Sequence, residues 1–237
     1  MSNRYRSILN VLSAPSSSLN TNLIGSWNAN GDATDSTGSN DGTLTNGATA
    51  SGTAKIGSNS FALNGVNSYV SFPNNSWNYT GDFSASCWIN TNGLAGYDVI
   101  LQNFEYIGGN FYGWQLMLSG GKPLLVIYFG TGAAEVALSS LGTLTVSTWY
   151  HVAFTKKING DLNLYVNGAL AKNTVSTTNI VYNVGNNYST IGVQKYNIGV
   201  TYFFDGLIDA VAIWDKELTT DEITELYNAG TGIETPY

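Results

Sequence analysis

The chain has 237 residues and a formal net charge of −7, and only 11% of its residues are charged, against about 25% in a typical soluble domain. Its hydrophobic fraction of 43% is large enough to build a sizeable core. Both arginines, Arg4 and Arg6, fall in the first six residues, so the rest of the chain has no basic stripe for a phosphate backbone, which argues against nucleic-acid binding.

Residues 1–21 are predicted to form an arm or linker that precedes one folded domain over 22–237. The arm contains the apolar stretch ILNVL, which is too short for a secretory signal, and the chain shows no run long enough to insert in a membrane. An arm that docks on a partner and an unstructured terminus are equal alternatives.

From Leu23 onward, short apolar or alternating segments are separated by turn residues. Such segments are typical of antiparallel strands, and Asn-Gly pairs favour the tight turns between them. The segments are SYVSFP, DFSASCWIN, YDVILQN, YGWQLML, PLLVIYF, WYHVAFTK and LNLYVNG, with Asn-Gly pairs at 46–47, 64–65, 159–160 and 167–168. We therefore predict an all-β, two-sheet antiparallel jelly-roll sandwich.

One short helix is predicted near the C-terminus, in LTTDEITELYNAG. Thr219 and Glu222 have the spacing of a capping box, and Gly230 is a suitable stop. A single cysteine, Cys87, excludes an internal disulfide and alternates like a buried strand residue.

Four segments, taken in chain order, resemble the laminin G-like or concanavalin A-like lectin/glucanase sandwich in its bacterial and viral form. They are LIGSWNANGDATDSTGSNDGTLTNGA, SFALNGVNSYVSFP, WYHVAFTKKINGDLNLYVNG and FFDGLIDAVAIWDKELTTDEITELYNAG. The resemblance spans about residues 22–230 and implies the same sandwich fold. It also implies that His151, the one histidine, is a framework residue of its strand.

Catalysis is a minority interpretation. A lone histidine with no nucleophile nearby does not make a triad, and the glutamates do not show the Glu-x-Asp-x-x-Glu pattern that would place paired carboxylates on one strand. A meeting of Glu105 and Glu135 across strands is the remaining route to glycan cleavage. We therefore expect a protein that is not an enzyme.

Calcium is a more plausible ligand, because Asp32, Asp35, Asn40 and Asp41 cluster in a Gly-rich loop and hard cations prefer such oxygen ligands. The resemblance implies a structural Ca²⁺ at the rim of the sandwich, with Asp35 and Asp209 as ligands and Asp32 as a third. Asx residues also form ordinary turns without a metal.

Aromatic side chains near Asn and Gly are candidates for carbohydrate binding, because they present flat area at little entropic cost. Covering sheet edges or forming contacts within an assembly is the alternative for each. The candidates are Trp77, Tyr79, Tyr106, Tyr112, Tyr188 and Tyr196, with Tyr97, Tyr182 and Tyr202 in a wider set.

The leading hypothesis is a non-catalytic recognition module for a glycan or cell-surface polysaccharide. The absence of a signal and the basic arm suggest display on a larger assembly such as a phage virion, as a decoration, spike or adhesin, with the arm contacting other virion or surface proteins. A purely structural protein, including a homo-oligomer without sugar binding, and a secreted glycan-cleaving enzyme are the alternatives. The expected location is a virion surface or the extracellular space.

Overall fold

The computed structural model describes residues 18–132, 134–139, 141–175, 179–182 and 185–236, with 135–138 described for the backbone only. The strands are β1 Leu23–Trp27, β2 Thr43–Thr45, β3 Thr49–Thr53, β4 Asn59–Asn64, β5 Tyr69–Ser71, β6 Phe83–Thr91, β7 Tyr97–Ile107, β8 Asn110–Ser119, β9 Lys122–Phe129, β10 Ala134–Leu138, β11 Trp149–Lys156, β12 Asp161–Val166, β13 Ala169–Val175, β14 Tyr188–Ile191, β15 Gln194–Tyr196, β16 Gly199–Thr201 and β17 Asp205–Trp214. The helix α1 is Thr220–Tyr227, and 3₁₀ turns occur at Ser18–Asn20 and Asn228–Gly230.

The strands form two packed antiparallel sheets, which confirms the predicted jelly-roll sandwich. The first sheet has the order β13-β12-β11-β6-β17-β4-β3, with β1 also paired to β17. The second has the order β10-β9-β8-β7-β14-β5-β2, and β15 and β16 form a separate hairpin. Consecutive strands such as β11 and β12 pair directly, whereas β6 and β17 are brought together from distant parts of the chain.

The hairpin of β11 and β12 illustrates how local sequence sets the register. Val152 pairs with Val166 and Phe154 with Leu164, and the side chains of Val152, Phe154 and Leu164 belong to the core between the sheets. Asn159 adopts the positive φ of 50° that the predicted Asn-Gly turn requires. The alternation of apolar residues in both strands therefore determines which side chains enter the core between the two sheets.

The main core lies between the two sheets and is rich in aromatic rings. Phe83 contacts Phe154 with ring centroids 5.3 Å apart, and Trp114 contacts Phe154 at 5.2 Å. Cys87 is fully buried in this core, and burial raises the pKa of its thiol far above the ordinary value. The predicted interpretation of Cys87 as a packed residue is consistent with this environment.

A second core lies on the other side of the first sheet, beneath α1. Ile223 and Leu226 of the helix pack there with Trp214, whose indole Nε1 donates to the carbonyl of Leu19 at 2.6 Å. Leu19 is fully buried. Residues 18–20, which the sequence assigned to the arm, are therefore part of the folded body, while 1–17 lie outside the described residues. Among the described residues, no helix is long and apolar enough to cross a bilayer.

Candidate functional site

The outer face of the second sheet carries an unusual apolar floor. Leu116 and Leu125 point into the main core, so their neighbours Met117, Leu124 and Val126 lie on the opposite face, where they form a third buried cluster. A strand whose two faces are both apolar is expected to have both faces shielded from water by other parts of the protein or by a ligand. On the outer face that cover is incomplete, and a groove remains.

This outer groove consists of two adjoining cavities. The larger has a volume of about 530 Å³ and is lined by Tyr97, Phe111, Gln115, Met117, Ser119, Leu124, Val126, Tyr128, Gln194 and Tyr202. The smaller has a volume of about 240 Å³ and is lined by Phe104, Tyr106, Phe111, Gln194, Tyr196 and Ile198. The two cavities share Phe111 and Gln194, so they form one continuous surface.

Side-chain amides cross the floor of the outer groove in a fixed network. Gln115 Nε2 donates to Gln102 Oε1 at 3.0 Å. Gln115 Oε1 accepts from the Tyr128 hydroxyl at 2.8 Å and from Gln194 Nε2 at 3.3 Å. Gln102 and Gln115 are fully buried, and a buried amide network of this kind is rigid when its members are hydrogen-bonded. The floor is therefore preorganised.

The hairpin of β15 and β16 forms one wall of the outer groove and is fastened to the sheet by polar contacts. Gln102 Nε2 donates to the carbonyl of Lys195 at 2.8 Å, and the backbone N–H of Asn197 donates to Glu105 Oε1 at 3.2 Å. Glu105 is 2% exposed. Burial raises the pKa of its carboxyl, while the N–H groups of Asn197 and Tyr106 oppose that shift. Glu105 thus acts as an anchor for the hairpin.

Aromatic rings surround the floor at both ends of the outer groove. Tyr106 packs on Phe111 at 4.9 Å between ring centroids and meets Tyr196 edge to face at 6.2 Å. Tyr97 and Tyr202 contact each other at 5.4 Å and are 47% and 42% exposed. Partly exposed tyrosine rings on this fixed floor present both flat apolar area and hydroxyl groups. Such a surface can stack against sugar rings and orient them.

The structure brings together two of the six predicted ligand residues, Tyr106 and Tyr196, in the smaller cavity. Tyr188 lies beside the groove, under the ammonium of Lys195 at 5.3 Å. Tyr79 packs against the main core, and its carbonyl accepts from the Tyr182 hydroxyl at 2.8 Å. Tyr112 is half-buried next to Gly130 and lies outside the lining.

Trp77 requires a correction. Its side chain is 1% exposed and packs within the main core, 4.7 Å from Phe72 and 5.4 Å from Trp27 between ring centroids. It therefore has no ring face open to a ligand. The surrounding segment SWNYTGD has the composition of a binding loop. The indole of Trp77 nevertheless lies in the core, because its apolar surface is removed from water there.

Several groove residues lie outside the predicted set, notably Phe111, Gln115 and Tyr128. The alternation of YGWQLML contains a usable signal for Gln115. Trp114 and Leu116 share one face, which leaves Gln115 and Met117 on the other, and an amide beside a methionine on an outer face suggests a covered or ligand-binding surface. No local sequence pattern predicts that Gln194, which lies on a hairpin distant in the chain, also lines the groove.

The predicted calcium ligands do not converge. Asp35 is 1% exposed, and its carboxylate accepts from the backbone N–H groups of Ser26 at 2.9 Å and Asn40 at 3.0 Å. Asp209 Oδ2 accepts from the N–H groups of Lys55 at 2.7 Å and Ile56 at 3.0 Å.

The third residue, Asp32, is exposed and accepts from the N–H of Thr34 at 2.9 Å. N–H groups directed at a carboxylate oppose a cation there, and the described residues contain no group of three acidic, His or Cys side chains suited to a metal. The structure does not bring Asp32, Asp35 and Asp209 together as one cluster, and calcium binding stays a prediction.

The residues considered for catalysis are also far apart or enclosed. His151 is 1% exposed, its Nε2 lies 2.7 Å from Ser86 Oγ, and its ring packs 5.4 Å from that of Trp88. Glu135 is on β10, which is three strand positions from the β7 strand of Glu105, or about 14 Å at the usual strand spacing. The strand order does not support a pairing of these two glutamates.

Comparison with known proteins places the chain among sandwich domains. A family model described as the concanavalin A-like lectin/glucanases superfamily matches residues 64–224. Human adhesion G-protein coupled receptor D1 is 29% identical over 123 residues, which make up 51% of this chain and 13% of that receptor. The match thus covers a small part of the receptor.

Two solved structures show the same fold at low identity. Domain 4 of AbnA, an extracellular GH43 arabinanase from Geobacillus stearothermophilus, in complex with arabinotriose, is 20% identical with a TM-score of 0.64, and the match covers 85% of this chain and 96% of that one. The receptor-binding domain of botulinum neurotoxin C/D mosaic serotype is 19% identical with a TM-score of 0.67, covering 89% of this chain and 52% of that one.

Proposed function

Because the chain belongs to the concanavalin A-like lectin/glucanase superfamily, we propose that it is a non-catalytic module that binds an oligosaccharide in the outer groove. The observation that carries this proposal is the combination of partly exposed rings, such as Tyr196 and Tyr202, with the fixed amide floor around Gln115. The sandwich of AbnA domain 4, solved with arabinotriose, supports it at the level of the fold.

The groove extends along β8 from Met117 to Phe111, which is about 20 Å at the rise of a β-strand. This length exceeds one sugar ring, so the ligand is an oligosaccharide or a stretch of a polysaccharide. Such polymers occur at cell surfaces and in extracellular material. The module therefore acts at an extracellular or virion surface, and its display on a phage particle stays a prediction.

Binding to an array of cell-surface oligosaccharides, followed by titration calorimetry with a hit, tests the proposal. Tyr196→Ala and Tyr202→Ala each remove a ring from the outer groove, and we expect each to weaken binding about tenfold, which is the size of one aromatic contact. Tyr112→Ala is the matched control, because Tyr112 is a half-buried tyrosine on β8 that does not line the groove.

The control is expected to bind like the wild type. An array without a single hit contradicts the proposed function. A loss of affinity for Tyr112→Ala that equals the loss for the groove variants contradicts the assignment to the outer groove.

A further inference from the structure

The lining of the outer groove has a distinctive chemistry. Its described residues are aromatic, aliphatic, amide and hydroxyl side chains, and they include none of Asp, Glu, Lys, Arg or His. An anionic ligand that leaves water requires a cationic partner or several convergent N–H donors, because burial of an unpaired charge is costly. The lining supplies no cation.

The amides on the floor do not replace such a cation, because they are committed to one another. Gln115 Oε1 accepts two hydrogen bonds and its Nε2 donates to Gln102, while Gln102 Nε2 donates to the carbonyls of Tyr188 and Lys195. Redirecting these donors to an anion would break a buried network. The rings and the hydroxyl groups therefore provide most of the contact.

The charges around the outer groove also disfavour an anion. The carboxyl of Glu105 is held by the N–H of Asn197, beside the groove residues Tyr196 and Ile198. The ammonium of Lys195 lies over the rings of Tyr69 and Tyr188, at 5.6 Å and 5.3 Å, outside the lining. The net charge of −7 adds a repulsive field.

We propose that the outer groove selects uncharged oligosaccharides and rejects those that carry carboxylate, sulfate or phosphate groups. This inference rests on the proposed function and adds the class of ligand. The uncharged lining accepts hydroxyl groups and ring faces without an ionic partner, while an anionic substituent loses its hydration and gains only neutral hydroxyl donors in exchange.

Titration calorimetry with matched pairs tests the inference, each pair being a hexose oligomer and the uronic-acid oligomer of the same length and linkage. The pairs are built on the neutral hit from the array. We expect the acidic member to bind at least about tenfold more weakly than the neutral member, since its carboxylates would be buried without a partner. The difference is expected to persist in high salt, which screens the net charge of the protein but not a contact inside the groove.

A variant that adds a positive charge to the groove tests the opposite change in selectivity. Gln194→Lys places an ammonium where the two cavities meet, and we expect it to raise affinity for the acidic member relative to the neutral one several-fold. Ser51→Lys is the control, because it makes the same change of charge at an exposed position on β3, in the other sheet.

Three outcomes overturn the inference. Equal or tighter binding of the acidic member by the wild type overturns it and leaves the proposed function intact. Equal binding of both members once salt is raised has the same meaning, because it assigns the selectivity to net charge. The absence of binding to any oligosaccharide overturns the proposed function and this inference together.

Discussion

The side chain of Asp35 stabilises the loop between β1 and β2. Its buried carboxylate accepts from the backbone N–H groups of Ser26, Thr37 and Asn40, at 2.9, 2.9 and 3.0 Å. Asp35→Asn replaces one acceptor oxygen by an NH₂ group that faces these donors. We expect the free energy of unfolding to fall by about 1–3 kcal/mol, the cost of buried polar groups left without a partner, as measured by urea denaturation.

Asp32→Asn is the control for this loop, because Asp32 is exposed and its side chain accepts from the N–H of Thr34. Its effect is expected to stay within about 0.5 kcal/mol, as for most surface substitutions. Both variants are also measured with and without a chelator. A calcium ion held by Asp32 would make that variant less stable than the wild type in Ca²⁺ and equal to it in chelator, and this result would restore the predicted metal site.

At the scale of an element, α1 is fastened to the sandwich by Glu222. The Thr219 hydroxyl and Glu222 form the predicted capping box, and Glu222 Oε1 also accepts from Ser18 Oγ at 2.8 Å and from Lys216 Nζ at 2.5 Å. Burial acts to raise the pKa of Glu222, but these hydrogen bonds outweigh it and hold the pKa below its usual value. The carboxylate is therefore charged and paired at neutral pH.

Glu222→Ala removes the side-chain half of the capping box together with the contacts to Ser18 and Lys216. We expect it to lower the free energy of unfolding by about 2 kcal/mol, since charge-assisted hydrogen bonds are among the stronger ones. Asp221→Ala changes an exposed acidic residue of the same helix and is expected to have a smaller effect, within about 1 kcal/mol, the size of a surface interaction with the helix dipole. Equal losses for the two variants in urea denaturation would show that helix composition, rather than the cap, determines stability.

The sequence predicts well those elements whose structure is determined by residues close together in the chain. The β11–β12 hairpin follows from alternation and from Asn159, and the start of α1 follows from Thr219 and Glu222. The positions of single aromatic residues follow less well. Trp77 and Tyr106 have similar neighbours rich in Asn and Gly, but the first lies in the core and the second in the outer groove.

The outer groove could not be predicted as a unit, because it is assembled from distant parts of the chain. Tyr106 and Phe111 lie near one hairpin, whereas Gln194 and Tyr196 come from a hairpin more than eighty residues later. The contact between them depends on β14 pairing with β7, which is a long-range event. Local patterns specify each strand but not this pairing, so the sequence could suggest aromatic candidates but not where they meet.

The whole molecule contains one buried and one half-buried group, His151 and Asp98, whose titrations have opposite effects on stability. Burial lowers the pKa of His151 from 6.5 to about 3, so between these values the unfolded chain binds a proton that the folded chain does not, and stability falls as pH falls. Burial and the charge of Asp205 raise the pKa of Asp98 from 3.8 to about 6. Between pH 3.8 and about pH 6, the folded chain binds a proton that the unfolded chain has lost. The free energy of unfolding therefore falls as pH rises through this range.

These opposite signs make a paired prediction for urea denaturation at about pH 7 and about pH 4.5. Acidification is expected to destabilise the wild type relative to His151→Gln, whose amide can still contact Ser86 but does not titrate. The same change is expected to stabilise the wild type relative to Asp98→Asn. Because each comparison uses the difference between two pH values, the constant cost of the substitution cancels. Parallel pH profiles for the wild type and both variants would show that neither group titrates differently in the folded chain.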